Sequence, residues 1–203
     1  MNRLSEFPEI CLKWKTSRFL CPWNPHTHDY RDTYMELLKD RPVSKIVEVG
    51  LGPKGLFHPE QVAGCGLFMW QDTFPEAKIF GLDYNPAALV NPIIAGLQHG
   101  EGNITSFLCD QSDRLQLSLV AMTIGRGIDF MVDDASHIPE DQVRTAEIFV
   151  PLLSPTGVYV IEDVLPEALE YAKRWLGFKF RVAEFRTNVL PDDRMIIIEA
   201  KDQ

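Results

Sequence analysis

Short apolar runs alternate along this chain with segments in which apolar positions recur every three or four residues. The runs are typical of buried strands, and the recurring spacing is typical of helices that bury one face. The strand-like runs are 45–49, 77–82, 104–109, 128–132, 157–161, 178–186 and 194–200. The helix-like segments are 30–39, 66–73, 86–99, 114–124, 141–153 and 166–176, and Pro92 is expected to interrupt the third. Residues 1–28, rich in aromatics and proline, are predicted to be irregular.

Strands separated by helices predict an α/β protein with a doubly wound, mostly parallel, seven-stranded sheet of the Rossmann-like type. The last two strand-like runs are joined by a turn without a helix, so we expect an antiparallel C-terminal hairpin. We interpret that turn, Asp192-Asp193-Arg194, as solvated. At 203 residues, with no internal repeat and no linker-like segment, residues 1–203 are predicted to form a single domain.

Charge and composition narrow the classes of partner. The formal net charge is −9 and the pI is near 5.0, which disfavours a protein that binds nucleic-acid phosphates or anionic membranes. The sequence contains no apolar run of spanning length and lacks the regions of a signal peptide. The four cysteines show no paired metal-ligand spacing, so free thiols and a cytoplasmic location are expected.

Two acidic pairs follow neighbouring strand-like runs. Asp133-Asp134 comes directly after the fourth run, with His137 three residues further on, and Glu162-Asp163 comes after the fifth. Such residues converge on the crevice at the carboxyl edge of a parallel sheet. Carboxylates beside an imidazole are the parts of a hard-cation site with an adjacent base, although either pair could instead cap a helix.

A second group of candidates follows the first three strand-like runs. Glu48-Val49-Gly50-Leu51-Gly52 forms a turn that lets the backbone approach a ligand, or that uses glycine for conformation alone. Asp83 is placed to bind ribose hydroxyls, and Asp110 to accept a hydrogen bond from an exocyclic amine or to cap the next helix. About a dozen loop-like residues after Gly52 argue against a pyrophosphate site and for a cofactor without phosphates, such as S-adenosylmethionine.

Seven blocks of sequence carry a resemblance to a known family over roughly residues 28 to 200. The blocks are His28-Asp-Tyr30, Val47-Glu-Val-Gly-Leu-Gly52, Gly64-Cys-Gly-Leu-Phe-Met-Trp70, Phe74-Pro-Glu-Ala-Lys-Ile-Phe-Gly-Leu-Asp83, Asp110-Gln-Ser-Asp113, Val132-Asp-Asp-Ala-Ser-His137 and Gly157-Val-Tyr-Val-Ile-Glu-Asp163. With them the chain resembles class I S-adenosylmethionine-dependent methyltransferases. Within that class it is similar to the metal-dependent O-methyltransferases that act on sugars of macrolides and rhamnosylated polyketides, a signature also found in sequences called cephalosporin hydroxylases.

The resemblance implies a function and a set of roles. It implies an S-adenosylmethionine-dependent and Mg²⁺-dependent (or Mn²⁺-dependent) O-methyltransferase that tailors a hydroxyl of a small molecule, a sugar or glycosylated natural product. His137 would be the general base, and the metal ligands would be Asp134, Glu162 and Asp163. The cofactor would be bound by Tyr30, Glu48, Gly50, Asp83, Asp110 and Gln111.

The chain also departs from the family pattern. Ala135 stands where the family has glycine, Ile138 where it often has a second histidine, and Gly66 where a serine is common. We expect this chain to lack the long N-terminal region of the macrolide enzymes. That expectation leaves the acceptor and the oligomeric state open, and a homo-oligomer is possible.

Other functions are compatible with some of these residues. A catechol or other phenol acceptor needs a comparable metal, whereas a nucleic-acid acceptor is disfavoured by the low charge and by the missing Asn/Asp-Pro-Pro-aromatic block. The glycine turn and Asp83 alone would also suit a dinucleotide oxidoreductase. A methyltransferase-like protein that binds without turnover is a further alternative.

Overall fold

The computed structural model of the chain describes residues 2–16, 18, 28–56, 58–98, 103–185 and 192–203, with only the backbone described for 93–98. The α-helices are α1 (Phe7–Trp14), α2 (Arg31–Leu38), α3 (Cys65–Thr73), α4 (Pro86–Gln98), α5 (Arg114–Ile124), α6 (Pro139–Phe149) and α7 (Pro166–Trp175). The strands are β1 (Lys45–Val49), β2 (Lys78–Asp83), β3 (Ile104–Leu108), β4 (Ile128–Asp133), β5 (Leu153–Ile161), β6 (Arg181–Glu184) and β7 (Arg194–Glu199). Short 3₁₀ turns occur at Leu4–Glu6, Val150–Leu152 and Ala200–Asp202.

These strands form one seven-stranded sheet in the order β3-β2-β1-β4-β5-β7-β6. The first five strands pair in parallel, and β7 pairs antiparallel with both β5 and β6. The predicted mostly parallel sheet with an antiparallel C-terminal hairpin is confirmed. The chain reverses its direction of travel between β1 and β4, and in α/β sheets such a point opens a ligand crevice at the carboxyl ends of the strands.

Alternation of side chains along each strand builds a core on both faces of the sheet. Along β1, Ile46 packs with α1 to α4, whereas Val47 packs with α5 to α7. The apolar run of β4 is buried at every position because helices cover both of its faces. The two layers hold the carboxyl edge of the central strands rigidly, and the candidate residues lie along that edge.

The expectation that residues 1–28 are irregular was wrong for their first half. Residues 7–14 form α1, with Pro8 in its first turn. Phe7, Ile10 and Cys11 have helical spacing and are buried against α3, so an apolar stripe was present in the sequence. The segment is rich in proline, but a proline in the first turn is compatible with a helix.

Two of the remaining differences from the predicted boundaries involve prolines. Pro92 lies inside α4 rather than interrupting it, although His99, the predicted end, lies outside the described residues. The helix predicted to reach residue 153 ends at Phe149, because Pro151 lacks the N–H that would continue the ladder. Strand β6 is shorter than the predicted run 178–186, whose last residue is not described.

In the described part of the chain, no helix has the length and apolarity that crossing a bilayer requires.

Candidate functional site

A cavity of about 310 Å³ opens at the carboxyl edge of the sheet. One part of its wall comes from the turns after β1, β2 and β3, and includes Gly50, Asp83 and Asp110. Another part comes from the turns after β4 and β5, and includes Asp134, His137 and Asp163. The structure therefore brings both groups of predicted site residues to one cavity.

The glycine turn after β1 is held against the turn after β4. Gly50 has φ +88°, and a Cβ there would lie 2.0 Å from the backbone oxygen of Asp134. The Asp134 N–H also donates to the Val49 carbonyl. Glycine is required here for close approach of two backbones, and this contact joins the two halves of the site.

The Asp83 carboxylate is oriented by backbone groups. It accepts hydrogen bonds from the N–H groups of Leu51 (2.8 Å) and Asn85 (2.7 Å), and the side chain lines the cavity. Each oxygen keeps a second lone pair, so the predicted contact with ribose hydroxyls is compatible with this arrangement.

Asp110 and Gln111 occupy different environments. Asp110 is exposed at the cavity and accepts from the N–H and hydroxyl of Ser112, while Asp113, not Asp110, caps α5. The Gln111 amide instead points inward, donating to both oxygens of Asp133 at 2.8 Å. Its side-chain amide nitrogen is engaged within the protein, so it is placed to support the cavity wall.

Glu48 is buried below the glycine turn. Its carboxylate accepts from the indole of Trp70 (2.7 Å) and lies 3.0 Å from the Arg18 guanidinium. Burial raises the pKa of Glu48, and the attraction of Arg18 opposes that rise. A Cβ at Gly66 would lie 2.3 Å from the Glu48 carboxylate, so glycine at this position makes room for this acid.

Gly66→Ala is therefore expected to destabilise the fold by about 1–3 kcal/mol, the usual range for forcing a methyl group into a packed site. The displaced Glu48 carboxylate is held by two donors and cannot move freely. Urea unfolding measures the effect. Gly177→Ala is the matched control, because a Cβ there meets nothing within 4 Å; equal stabilities of the two variants would contradict this packing.

Asp133 and its neighbours support the site rather than cap a helix. Asp133 is fully buried and accepts from Tyr159 (3.0 Å) as well as Gln111. Burial raises its pKa to about 7, although those two hydrogen bonds act in the opposite direction. The N-caps of α6 and α7 are Ile138 and Leu165, without side-chain capping bonds, so the capping alternative for both acidic pairs was wrong.

Asp134, His137 and Asp163 converge on one point. One ligand atom from each lies within 4.8 Å of the others, and Nδ1 of His137 is buried without a hydrogen-bond partner. His137 (φ 55°) and Asp163 (φ 53°) adopt left-handed backbone conformations, which cost free energy and cluster at functional sites. Burial and the neighbouring carboxylates Glu162 and Asp163 raise the pKa of Asp134 well above its ordinary value.

Glu162 is not one of the three residues of this cluster. Its carboxylate accepts from Nε of Arg18 (2.9 Å), from Nη2 of Arg18 (2.8 Å) and from the Tyr34 hydroxyl. Burial lowers the pKa of Arg18, but attraction to Glu162, Glu48 and Asp134 outweighs it and leaves that pKa well above its ordinary value. The structure thus pairs the predicted third metal ligand with a buried guanidinium.

Tyr30 contacts Asp163 but is not among the residues that line the cavity. Its hydroxyl donates to Oδ1 of Asp163 (2.6 Å), and its ring stacks on His28. His28 bridges Asp163 (Nε2, 3.3 Å) and Asp193 (Nδ1, 3.1 Å). Asp193 is buried, so the interpretation of the hairpin turn Asp192-Asp193-Arg194 as solvated was wrong for Asp193.

Arg18 was not among the predicted site residues, and the sequence did not indicate that His28 pairs with Asp193. A cluster of buried carboxylates needs compensating positive charge, and that requirement was a signal for a buried arginine. His28 was noted, but its partners lie 135 and 165 residues away along the chain.

The turn after β1 differs from that of dinucleotide-binding proteins. The first described helix after it begins at Cys65, thirteen residues beyond Gly52, so no helix N-terminus follows the glycines directly. The structure agrees with the sequence in disfavouring a pyrophosphate ligand.

Comparisons with known proteins agree with this geometry. No protein-family model matches the chain. It is 32% identical over 144 residues, 70% of this chain and 34% of the relative, to the 8-demethyl-8-alpha-L-rhamnosyl tetracenomycin-C 2′-O-methyltransferase of Streptomyces olivaceus. It is also 32% identical over 169 residues, 82% of this chain and 34% of the relative, to the mycinamicin VI 2″-O-methyltransferase of Micromonospora griseorubida. The chain spans about a third of the length of these curated relatives.

Among solved structures, the chain is similar to MycE methyltransferase from the mycinamycin biosynthetic pathway in complex with Mg, SAH and mycinamycin VI. The TM-score is 0.63 at 28% identity, over 80% of this chain and 38% of that one. The sheet order and the site edge are thus those of a class I S-adenosylmethionine-dependent methyltransferase. Within that class, the chain belongs with the sugar O-methyltransferases of macrolide and tetracenomycin pathways, which are its homologues.

Proposed function

We propose that residues 1–203 form a single methyltransferase domain that moves the methyl group of S-adenosylmethionine to a hydroxyl of a small molecule, with Mg²⁺ or Mn²⁺ as metal cofactor. The acceptor is a sugar or a glycosylated natural product. One observation carries the proposal: a single cavity is lined both by the glycine turn with Asp83 and by the cluster of Asp134, His137 and Asp163. Cofactor and acceptor would meet there.

The cofactor would lie along the turns after β1, β2 and β3. Gly50 allows its backbone to approach the ligand, Asp83 would accept from the ribose hydroxyls, and Asp110 would accept from the adenine amine. Gln111 would hold the wall through Asp133, and Glu48 would fix the glycine turn from below. Tyr30 would act through Asp163, with which it shares a hydrogen bond.

The residues present fit a divalent cation. Two carboxylates and one imidazole converge within 4.8 Å, and a buried nitrogen of that imidazole has no hydrogen-bond partner. Asp134 and Asp163 would hold the ion, with Glu162 as the third ligand once its carboxylate is available. Carboxylate oxygens favour Mg²⁺ or Mn²⁺ over zinc. When bound, the ion would lower the pKa of the acceptor hydroxyl.

His137 would act as the general base. A ring nitrogen takes the hydroxyl proton, the acceptor oxygen forms a bond to the methyl carbon, and the bond from that carbon to sulfur breaks to release S-adenosylhomocysteine. Because the methyl group needs only in-line approach, positioning by the rigid turns supplies much of the remaining rate.

The proposal of a sugar acceptor is based on the names of the curated relatives. Their names describe methylation of rhamnosyl and other sugar hydroxyls. The net charge of −9 argues against a nucleic-acid acceptor. Buried thiols at Cys65 and Cys109 support a cytoplasmic location, and a homo-oligomer is compatible with the sequence.

Isothermal titration with S-adenosylmethionine, with and without Mg²⁺, tests the cofactor assignment. We expect binding in the micromolar range, and no binding at millimolar cofactor would contradict the proposal. A panel of rhamnosides, other deoxysugar glycosides and catechols then tests the acceptor. Methylation of glycosides supports the sugar assignment, preference for catechols would overturn it, and tight cofactor binding without turnover on any acceptor would indicate a binding protein.

His28 is expected to orient Asp163 for the cation. His28→Phe keeps the ring stacked on Tyr30 but removes both nitrogens that bridge Asp163 and Asp193. We expect Mn²⁺ affinity to fall about 10-fold, since mutating a residue that orients a metal ligand lowers metal affinity about 10–100-fold. Electron paramagnetic resonance of free Mn²⁺ measures this affinity. Asp193→Asn, which keeps an acceptor for Nδ1, should have a smaller effect; an unchanged affinity in folded His28→Phe would contradict the role.

A further inference from the structure

Arg18 places a positive charge among the acids that the proposed function assigns to cofactor and metal. Its side chain is 4% exposed. Nη2 lies 3.0 Å from Glu48, 3.2 Å from Asp134 and 2.8 Å from Glu162, and Nε donates to Glu162 at 2.9 Å. The Trp70 ring lies beneath the guanidinium, 5.9 Å from its centroid to Cζ.

We propose that Arg18 is an intramolecular competitor of the divalent cation for Asp134 and Glu162, and so sets the metal concentration at which the site loads. This inference rests on the proposed function. The guanidinium already supplies these two carboxylates with hydrogen bonds and positive charge, which is what a bound cation would supply.

Arg18 and a bound cation would compete directly for Glu162, because Arg18 already contacts both oxygens of its carboxylate. Glu162 Oε1 accepts hydrogen bonds from Arg18 Nε and from the Tyr34 hydroxyl, so both lone pairs of that oxygen are used. Glu162 Oε2 accepts from Arg18 Nη2. A cation on Oε2 would share that atom with the guanidinium, and two positive charges at such a distance repel strongly in a buried site. Glu162 becomes a full ligand only when Arg18 withdraws from it.

Glu48 gives Arg18 a partner outside the proposed metal ligands. It lies 3.0 Å from the guanidinium and is not part of the cluster of Asp134, His137 and Asp163. Arg18 can therefore release Asp134 and Glu162 to a cation without leaving a buried charge unpaired, which would be costly.

The test is Mn²⁺ and Mg²⁺ binding, by electron paramagnetic resonance and isothermal titration, to the full chain without acceptor. Arg18→Gln removes the competing charge and should tighten Mn²⁺ binding at least about 10-fold, one decade being about 1.4 kcal/mol. The rise in melting temperature on adding Mg²⁺ should also be larger than in the wild type. Lys13→Gln, which removes an exposed positive charge paired with Asp72, is the matched control and should bind as the wild type does.

Equal or weaker Mn²⁺ binding by folded Arg18→Gln would overturn the inference, because Arg18 would then be a support for the metal ligands. If that variant does not fold, Arg18→Lys is scored instead. It keeps the charge but loses the Nε contact with Glu162, and it should bind Mn²⁺ at least about threefold more tightly; no gain would overturn the inference. Failure of every variant and of the wild type to bind either ion would instead overturn the metal part of the proposed function.

Discussion

Replacing His137 with alanine should lower kcat for methyl transfer by about 10²–10⁴, the contribution of a positioned general base. The acceptor hydroxyl would keep its proton at neutral pH, because no other described residue with an imidazole lines the cavity. S-adenosylmethionine affinity should stay within about twofold, since the turns after β1 and β2 are untouched. Single-turnover kinetics with labelled cofactor, beside isothermal titration, separates the two effects.

His58→Ala is the control for this experiment. His58 accepts from the Glu60 N–H outside the cavity lining, so its loss should leave kcat within about twofold. A near wild-type rate in His137→Ala would remove His137 from the mechanism. Loss of cofactor binding together with rate would instead show that the left-handed turn at His137 serves the fold.

The second large effect is expected from Asp134→Asn. Removing one charged ligand from the cluster should weaken Mn²⁺ binding at least about 100-fold. Mutating a residue that only orients a metal ligand already lowers metal affinity about 10–100-fold. Methyl transfer should fall with it, while cofactor binding persists. Asp163→Asn should behave in the same way, because its carboxylate belongs to the same cluster.

Asp72→Asn is the control, because Asp72 forms an ion pair with Lys13 at the surface. Circular dichroism confirms that each variant is folded. Mn²⁺ affinity retained in both Asp134→Asn and Asp163→Asn would mean that the cation does not bind between these carboxylates.

Much of the fold could be predicted because its signals are local. Strands such as β1 and β4 are short, mainly apolar runs, and helices such as α5 show regular spacing, so the element order from α2 onward and the C-terminal hairpin could be predicted. The convergence of Asp83, Asp134 and Asp163 was also predictable, since each follows a parallel strand and such strands end at one edge.

The remaining parts depend on contacts between distant segments. Nothing in the sequence near Arg18 indicates that its guanidinium lies between Glu48 and Glu162, which come from the ends of two different strands. Likewise, His28 carries no mark of its pairing with Asp193 in the hairpin. Periodicity identifies elements, but it does not reveal which long polar side chain fills a buried gap between them.

Methyl transfer is expected to depend on a divalent cation held beside the cofactor by the acids of this cavity. The most direct measurement is the rate of transfer from labelled S-adenosylmethionine to a glycoside acceptor after exhaustive chelation and again after Mg²⁺ is restored. We expect transfer to be lost on chelation and fully recovered with Mg²⁺, while cofactor affinity changes little. Transfer at an unchanged rate in chelated protein would contradict this expectation.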